Sequence, residues 1–376
     1  MNYNPPIILQ ILPELRSGGV ERGTVEIARA IVKAGGKALV ASSGGPMVTQ
    51  IQQAGATHIT MPLASKNPFT IWLNSLRIAA LIRKNNVNIV HARSRAPAWS
   101  AWLAAKRTGC KFVTTFHGTY GLQNEWKRKY NSIMTRGDLV IAISHFIADH
   151  IQKNYDIDAS KLRIIQRGVD LQLFNPKAYS VPRMIDLALE WRLPEDLPMI
   201  LFPARFARWK GQEVFVKALA KLPHRNFFAV ILGDDKGHTS YREEIEKLII
   251  DLGLSGHVRI ARHTQFITEA YMLSRLVVAT SIEPEAFGRV VLEAQAMGKP
   301  VITTNHGGPQ ETVIDKETGL LVPPNDVQTL ADAIDNVLTM PDDLYKQVER
   351  DAIKNAALFS LDKMCEQTIR VYLELL

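Results

Sequence analysis

Glu283-Pro-Glu-Ala-Phe-Gly-Arg-Val-Val-Leu-Glu293 follows an apolar run that ends near Thr280 and leads into apolar residues at helical spacing. This order predicts a strand, a short polar loop and a helix that begins at about Gly288 or Arg289. A helix N-terminus presents unpaired N–H groups and a positive dipole end, both of which favour phosphate binding. Gly288 lets the backbone come close to phosphate oxygens because it has no side chain. The stretch therefore predicts a diphosphate site in an α/β fold.

The two glutamates of this stretch have different predicted positions. Glu293 lies about one helical turn beyond the helix start. Helical side chains lean toward the N-terminus, so the Glu293 carboxylate can accept hydrogen bonds from ribose hydroxyls beside the phosphate. Glu285 lies in the loop and can face a sugar, and we assign Phe287 with Gly288 to the donor-binding residues. The alternative is an ordinary polar loop with a glutamate on its surface.

A second segment, Ala204-Arg-Phe-Ala-Arg-Trp-Lys-Gly211, follows an apolar run at 199–203. Arg205 can form a two-pronged hydrogen-bonded contact with a phosphate, and Lys210 adds a second positive charge. A departing diphosphate needs such cations at the point where a strand meets its helix. A solvated basic loop is the alternative for this segment taken by itself.

The rest of the chain predicts two α/β domains. It has 376 residues, of which 46% are hydrophobic and 22% charged, and one domain typically takes about 100–200 residues. Apolar runs alternate with helical patterns, first at 7–12, 37–41, 89–92, 111–115 and 139–143. The alternation restarts at 199–203, 227–232, 258–260, 276–280 and 300–304. Such alternation predicts parallel sheets in two doubly wound domains that face each other across a cleft, with ligands at the carboxyl ends of the strands.

The predicted domain boundaries follow from a break in this alternation. Prolines and turn-forming residues at 175–182 predict a connector. We place an N-terminal domain at 1–178 and a second domain at 179–358. Residues 359–376 form a predicted closing helix that packs back toward the first domain or, alternatively, simply ends the chain.

Charge is unevenly distributed between the halves. The net charge is +8, but residues 1–180 hold 23 Lys and Arg against 9 Asp and Glu, which gives +14 there and −6 in the remainder. This asymmetry predicts an anionic partner for the first half, although a domain that is merely basic is the alternative. Cys110 and Cys365 fit no disulfide framework or metal spacing, and neither a signal peptide nor a membrane-spanning run is seen. We expect a cytoplasmic protein whose membrane contact, if any, is peripheral.

These segments resemble the retaining glycosyltransferases of family 4, which have the GT-B fold. The family's E-x7-E motif matches Glu285 and Glu293. Its Gly-Arg-Leu-x-x-x-Lys-Gly motif matches 204–211, with Ala204 in place of Gly and Phe206 in place of Leu. Further segments follow in the family's order, namely Gly168-Val-Asp170, Gly307-Gly308-Pro-Gln-Glu311 and Thr318-Gly-Leu-Leu-Val-Pro-Pro-Asn-Asp326.

In the first half, Ser17-Gly-Gly-Val-Glu-Arg22 resembles the family's glycine-rich loop, where Gly18 and Gly19 would approach the donor phosphates. The full G-x-G-x-x-G of dinucleotide-binding proteins is absent. His117 in Thr115-Phe-His-Gly118 matches a histidine that contacts the donor sugar in the family. A structural histidine is the alternative.

Three residues are acceptor candidates. Arg93 and Arg95 in His91-Ala-Arg-Ser-Arg95 end a predicted strand and can engage a phosphate or carboxylate. Ordinary surface arginines are the alternative. Ser144 opens a helix in a turn that the family uses near the acceptor, and an N-cap is the simpler interpretation.

The resemblance implies transfer of a glycosyl group from a nucleoside-diphosphate sugar to a glycan or glycolipid, with retention of the anomeric configuration. It also implies that the domain at 1–178 binds the acceptor and the domain at 179–358 binds the nucleotide sugar. We expect Glu285, His117, Arg205 and Lys210 to be catalytic, and we expect no metal or cofactor. Bacterial envelope polysaccharide or lipopolysaccharide synthesis is the predicted context, while sugar, base, acceptor and linkage stay open. Alternatives are another GT-B enzyme, such as a phosphorylase or epimerase, and a basic nucleic-acid-binding protein.

Overall fold

The computed structural model describes residues 5–16, 18–122, 124–235, 237 and 239–376. Contacts divide the chain into two compact units, Met1–Gln166 with Leu361–Leu376, and Arg167–Ser360. The predicted boundary at 178 lies later than this division. Residues 167–178 are grouped with the second unit because Val169 pairs with Ser360 and Phe174 packs edge-on against Tyr271, with ring centroids 6.0 Å apart.

The first unit contains, in its described residues, a parallel seven-stranded sheet with the order β3-β2-β1-β4-β5-β6-β7. Its strands are β1 (Ile7–Ile11), β2 (Lys37–Ser42), β3 (Thr57–Thr60), β4 (Ile89–Ala92), β5 (Lys111–Phe116), β6 (Leu139–Ala142) and β7 (Leu162–Ile164). The helices between them are α1 (Gly19–Lys33), α2 (Val48–Gln53), α3 (Pro68–Asn85), α4 (Arg95–Thr108), α5 (Glu125–Asn131) and α6 (His145–Asn154). Short 3₁₀ turns occupy Ser132–Thr135 and Ala159–Lys161.

The second unit contains a parallel sheet of six strands in the part of it that the structure describes, with the order β10-β9-β8-β11-β12-β13. Its strands are β8 (Met199–Pro203), β9 (Phe228–Leu232), β10 (Val258–Ala261), β11 (Ser274–Ala279), β12 (Val301–Thr304) and β13 (Gly319–Val322). Its helices are α7 (Val181–Trp191), α8 (Gln212–Ala220), α9 (Thr239–Asp251), α10 (Ile267–Leu273), α11 (Arg289–Ala296), α12 (Val327–Leu338) and α13 (Asp342–Ala357). The closing helix α14 (Leu361–Leu373) belongs to the first unit by its contacts.

Two Rossmann-like parallel sheets confirm the predicted fold class. The central strands are apolar because helices cover both faces of a parallel sheet, and β4, β8 and β9 are buried along their whole length. In both sheets the strand order reverses beside the first strand, at the β1–β4 and β8–β11 pairs. Such a reversal opens a crevice at the carboxyl edge, which is where ligands bind in these folds.

Sequence patterns missed several elements at the margins of the sheets. The edge strand β3 has the sequence Thr-His-Ile-Thr, with one strongly apolar residue, and none of its four residues is fully buried. Helix α7 begins at Val181, inside the segment predicted to be a connector, and continues to Trp191, because Pro182 does not break the helix. Proline is compatible with the first turn of a helix, where its missing N–H has no intrahelical partner.

None of the helices in the described residues has the length and apolar character needed to cross a membrane.

A buried hydrogen-bonded network joins α14 to the first sheet. The His91 ring lies at the end of β4, with Nδ1 2.7 Å from the Tyr372 hydroxyl and Nε2 2.7 Å from Thr115 Oγ1. Burial raises the pKa of Tyr372, so this hydroxyl stays protonated. At the exposed end of the same helix, Arg163 forms an ion pair with Glu374. The buried bond contributes more because it is shielded from water.

We expect Tyr372→Phe to destabilise the first unit, because it removes a hydrogen bond from a buried network. The loss should be about 1–3 kcal/mol, which lowers the midpoint of thermal unfolding by about 2–12 °C for a unit of this size. Differential scanning calorimetry measures this shift. Tyr179→Phe is the matched control, since Tyr179 is 38% exposed. Equal midpoints for the two variants would contradict the proposed contribution of the network.

Candidate active site

An ion pair connects the two predicted donor segments in the second unit. Lys210 Nζ, in the loop after β8, lies 2.7 Å from Glu285 Oε1, in the loop after β11. The two side chains are 16% and 19% exposed, so water reaches them only in part. The Ser281 hydroxyl also donates to Glu285 Oε1. Tertiary structure therefore brings together two residues that are separated by more than seventy positions in sequence.

In the loop after β8, Trp209 packs against the two predicted phosphate ligands. The Trp209 ring has the Lys210 ammonium 4.3 Å from its centroid and the Arg205 guanidinium carbon 5.8 Å away. Arg205 is exposed, and its carbonyl accepts a 2.9 Å bond from Gln212 Nε2. The Trp209 carbonyl accepts a 2.8 Å bond from Ile282 N and so ties this loop to the loop after β11. Both predicted phosphate ligands therefore lie beside one ring, in a loop that is tied to its neighbour.

Close backbone packing holds these loops together at the carboxyl edge of the sheet. A Cβ on Gly211 would lie 2.1 Å from the Thr280 carbonyl oxygen, and a Cβ on Gly308 would lie 2.4 Å from Phe287 Cα. Gly308 N donates to the Glu285 carbonyl at 2.8 Å. Real Cβ atoms do not approach so closely, so these positions require glycine. The loop after β12 therefore supports the loop that carries Glu285.

Gly288 is the N-cap of α11, as the sequence predicts. Its backbone has φ 82° and ψ 60°, a left-handed conformation that suits glycine, and no side chain caps the helix. The first N–H groups of α11 are thus not covered by a capping side chain. This arrangement fits an anion at the helix start.

Two other predicted donor residues in this stretch are more buried than Glu285. Glu293, 8% exposed, lies in α11 and accepts a 3.1 Å bond from the Tyr271 hydroxyl. The Phe287 side chain is buried against Phe359, with ring centroids 6.4 Å apart. Its ring therefore supports the loop, which leaves the backbone of this residue as the part suited to a ligand.

The candidates in the first unit lie after β1, β5 and β6. Gly18 has φ 152° and caps α1, where an added Cβ would lie 2.6 Å from Glu21 Oε2, and Gly19 begins that helix. Ser17 of the same motif lies outside the described residues. His117 follows β5 and is half-buried. Ser144 is fully buried and accepts a 3.1 Å bond from Ile147 N, so it caps α6, the simpler of its two interpretations.

The structure places the two predicted acceptor arginines in different surroundings. Arg93 is 2% exposed and donates to Gln10 Oε1 at 3.2 Å. Burial lowers its pKa, while nearby Tyr372 and Glu26 act in the opposite direction. Its guanidinium therefore belongs to the interior of the first unit and offers no surface charge to an acceptor.

Arg95, in contrast, lines a cavity of about 650 Å³ at the carboxyl edge of the first sheet. Its guanidinium donates to Asn131 Oδ1 at 3.0 Å and stacks 4.2 Å above the Tyr120 ring centroid. Burial raises the pKa of Tyr120 to about 12, so Tyr120 remains neutral beneath the cation. Lys66 and Lys127 line the same cavity, whereas no Asp or Glu is among its described lining residues. Sequence analysis missed both lysines because neither belongs to a recognised motif. Lys66 lies in the loop before α3, and Lys127 lies in the first turn of α5.

The described residues contain no group of three or more His, Cys, Asp or Glu side chains that could hold an ion. An Asp-x-Asp sequence, the pattern that holds a divalent ion in other transferases, does occur at Asp156-Ile157-Asp158. Asp158 accepts a 2.9 Å bond from Ser160 N and caps a 3₁₀ turn. This carboxylate therefore has a local structural function.

We expect Gly308→Ala to destabilise the second unit, because its Cβ would overlap the backbone of Phe287 and Ala286. Overpacking of this kind costs about 1–3 kcal/mol. The midpoint of thermal unfolding and the catalytic rate should both fall. Gly256→Ala is the matched control, since a Cβ there would have no heavy atom within 4 Å. If the two variants unfold at the same temperature, the packing argument is wrong.

Two family models match the chain in succession. Residues 17–173 match the model described as Glycosyltransferase Family 4, and residues 188–357 match Glycosyl transferases group 1. The D-inositol 3-phosphate glycosyltransferase of Mycobacteroides abscessus is 26% identical over 79% of this chain and 68% of its own length. The enzyme of the same name from Jonesia denitrificans is 28% identical over 79% of this chain and 74% of its own.

Solved structures give the same result. The structure of Anabaena Alr3699/HepE in complex with UDP and glucose superimposes with a TM-score of 0.85 at 22% identity, covering 98% of this chain and all of that one. The crystal structure of a glycosyltransferase from Rickettsia africae has a TM-score of 0.93 and 41% identity, covering 99% of both chains. From this similarity and the two domain models, the chain belongs to the glycosyltransferases and has the GT-B fold.

Proposed function

We propose that this glycosyltransferase moves a sugar from a nucleoside-diphosphate sugar to a hydroxyl of an anionic glycan or glycolipid, with retention and without a metal ion. The observation that carries the proposal is the 2.7 Å contact between Lys210 Nζ and Glu285 Oε1 beside Arg205. This contact places cations that can stabilise a departing diphosphate next to a carboxylate that can hydrogen-bond to a sugar. Both groups lie where parallel sheets bind nucleotides.

The leaving diphosphate gains negative charge as its bond to the sugar breaks. The Arg205 fork, the Lys210 ammonium and the N–H groups that begin α11 supply opposing charge. Fixed donors of this kind commonly make the greatest contribution to catalysis, and each lowers the barrier by about 2.7–4 kcal/mol. Half-burial of Lys210 and Glu285 strengthens their electrostatic interactions relative to water. No metal or other cofactor is required in this scheme.

The remaining candidates bind the donor. In the second unit, Glu285, held by Ser281 and Lys210, orients hydroxyls of the transferred sugar. Glu293, oriented by the Tyr271 hydroxyl, accepts hydrogen bonds from the ribose. The backbone at Phe287 and Gly288 approaches the diphosphate. In the first unit, we assign donor binding to Gly18, Gly19 and His117 from the family resemblance.

The anomeric configuration is retained if the acceptor attacks the sugar on the face from which the diphosphate departs. The sugar–oxygen bond breaks first, through an oxocarbenium-like transition state, and the acceptor oxygen then bonds to the same carbon. The proton of the acceptor hydroxyl passes to the departing diphosphate. Glu285 orients the sugar in this scheme and forms no covalent bond to it.

Relatives guide the choice of donor and acceptor. The Anabaena protein was solved with UDP and glucose, which makes UDP-sugars the first donors to test. The Mycobacteroides and Jonesia relatives are named for D-inositol 3-phosphate, a phosphorylated polyol. The cavity lined by Lys66, Arg95 and Lys127 suits an acceptor of that charge. We place the reaction in bacterial envelope glycolipid synthesis, lipopolysaccharide core included, peripherally on the cytoplasmic face of the membrane.

We expect Glu285→Gln and Lys210→Gln each to lower kcat/KM by about 10²–10³. The Lys210 variant loses a cation for the departing diphosphate, and the Glu285 variant loses the carboxylate that holds Lys210 and orients the sugar. Release of UDP, GDP, ADP or dTDP from the matching sugar donors, with envelope extract as acceptor, measures the activity. NMR of the product reports its anomeric configuration, and a chelator should leave the rate unchanged. Glu283→Gln is the matched control, because Glu283 is exposed in the same loop. Near-normal kcat/KM in the Glu285 or Lys210 variant would refute the assigned roles.

We expect Arg95→Gln to raise the acceptor KM at least about tenfold with a smaller effect on the donor KM, since a charged hydrogen bond contributes about 1.5–3 kcal/mol. Steady-state kinetics with a phosphorylated acceptor and its unphosphorylated counterpart separate these effects. Arg29→Gln, at an exposed position on α1, serves as the control. An unchanged acceptor KM in the Arg95 variant would remove this cavity from the proposal.

A further inference from the structure

Helix α3 carries a second apolar face that points away from the protein. Phe69, Trp72 and Leu76 are 69%, 47% and 39% exposed and recur at the spacing of one helix face. We name these three residues the aromatic face of α3. The rings of Phe69 and Trp72 stack on each other, with centroids 6.0 Å apart. The opposite side of α3 is buried through Ile78, Ala79 and Ile82. Packing of the fold thus does not require the aromatic face.

The chain around this face contains no acidic residue. From residue 27 to residue 124 there is no Asp or Glu, whereas the same span holds 12 Lys and Arg. Three of these cations, Arg77, Arg83 and Lys84, lie exposed on α3 itself. The charge asymmetry of the first half is therefore concentrated in the segment 27–124, which contains α3.

A third exposed aromatic residue lies in α5 of the same unit. Trp126 of α5 is 81% exposed and is followed by Lys127, Arg128 and Lys129. Lys127 and Lys66, the latter two residues before the start of α3, line one cavity. The N-terminal ends of α3 and α5 therefore border that cavity, and both carry exposed aromatic side chains.

We propose that the first unit docks on an anionic phospholipid bilayer through the aromatic face of α3, with Trp126 as a second contact. Helices that lie in the membrane interface combine bulky apolar residues with flanking Lys and Arg, and Trp is enriched at that depth. The cations attract anionic headgroups while the rings and Leu76 enter the acyl boundary. Nucleic acid is a poorer match, because Phe69 and Trp72 stack on each other and the face continues into an aliphatic side chain.

Docking in this way has a consequence for the acceptor that rests on the proposed function. The cavity with Lys66, Arg95 and Lys127 would open beside the headgroup layer. A lipid-borne anionic acceptor could then enter the cavity without leaving the bilayer. Vesicle binding itself needs neither donor nor acceptor, so the two proposals can fail separately.

Flotation with vesicles of phosphatidylcholine and phosphatidylglycerol, compared with phosphatidylcholine alone, tests the surface. The full chain should float with the anionic vesicles, and added salt should weaken binding. Phe69→Ala with Trp72→Ala should lower the vesicle affinity at least about tenfold, because the apolar area leaves the interface. Arg77→Gln with Lys84→Gln should weaken binding to anionic vesicles and leave the weak binding to neutral vesicles unchanged.

Ile185→Ala with Leu189→Ala is the matched control, since these residues of α7 are 55% and 70% exposed and lie in the second unit. This control should bind vesicles like the unmodified chain. Circular dichroism and donor hydrolysis check that every variant is folded. Absence of binding to anionic vesicles, or equal losses in the aromatic and control variants, would overturn the proposal. Displacement of the vesicles by single-stranded RNA through the same residues would instead identify a nucleic-acid surface.

Discussion

Close approach between backbone segments at the carboxyl edge of the second sheet is the constraint on which the site depends. Gly211 lies against the Thr280 carbonyl and Gly308 against the backbone of Phe287, at distances that leave no room for a Cβ. These contacts fix the loops after β8, β11 and β12 relative to one another. Because the loops are fixed, Lys210 and Glu285 form their 2.7 Å contact with little loss of conformational freedom.

The electrostatic design of the site follows from this packing. Lys210 contacts both the Glu285 carboxylate and the face of the Trp209 ring. Arg205 lies near the same ring but remains exposed. One cation is thus held in place before a ligand arrives, while the other is open to solvent. Preorganised charge of this kind costs little reorganisation when negative charge develops on a leaving group. Ser281 and Tyr271 complete the arrangement by hydrogen bonding to Glu285 and Glu293.

The first unit uses its basic residues in different ways. Arg93 is buried beside Gln10 and Tyr372, whereas Arg95, two residues later, stacks on Tyr120 at the edge of a cavity. Other cations lie exposed on α3 beside an aromatic face. A positive surface with few acidic residues attracts anions over distances of about one Debye length. Net charge alone does not distinguish these roles.

The sequence by itself determined the two parallel α/β domains, because apolar runs of strand length alternate with helical patterns in both halves. It also determined that a helix begins at Gly288 and that Arg205, Lys210 and Glu285 follow strands, since apolar runs end just before them. Only the tertiary structure decided that α7 begins at Val181, that Arg93 is interior, and that Lys66 and Lys127 share a cavity with Arg95. These outcomes depend on contacts between residues distant in sequence, which local pattern does not encode.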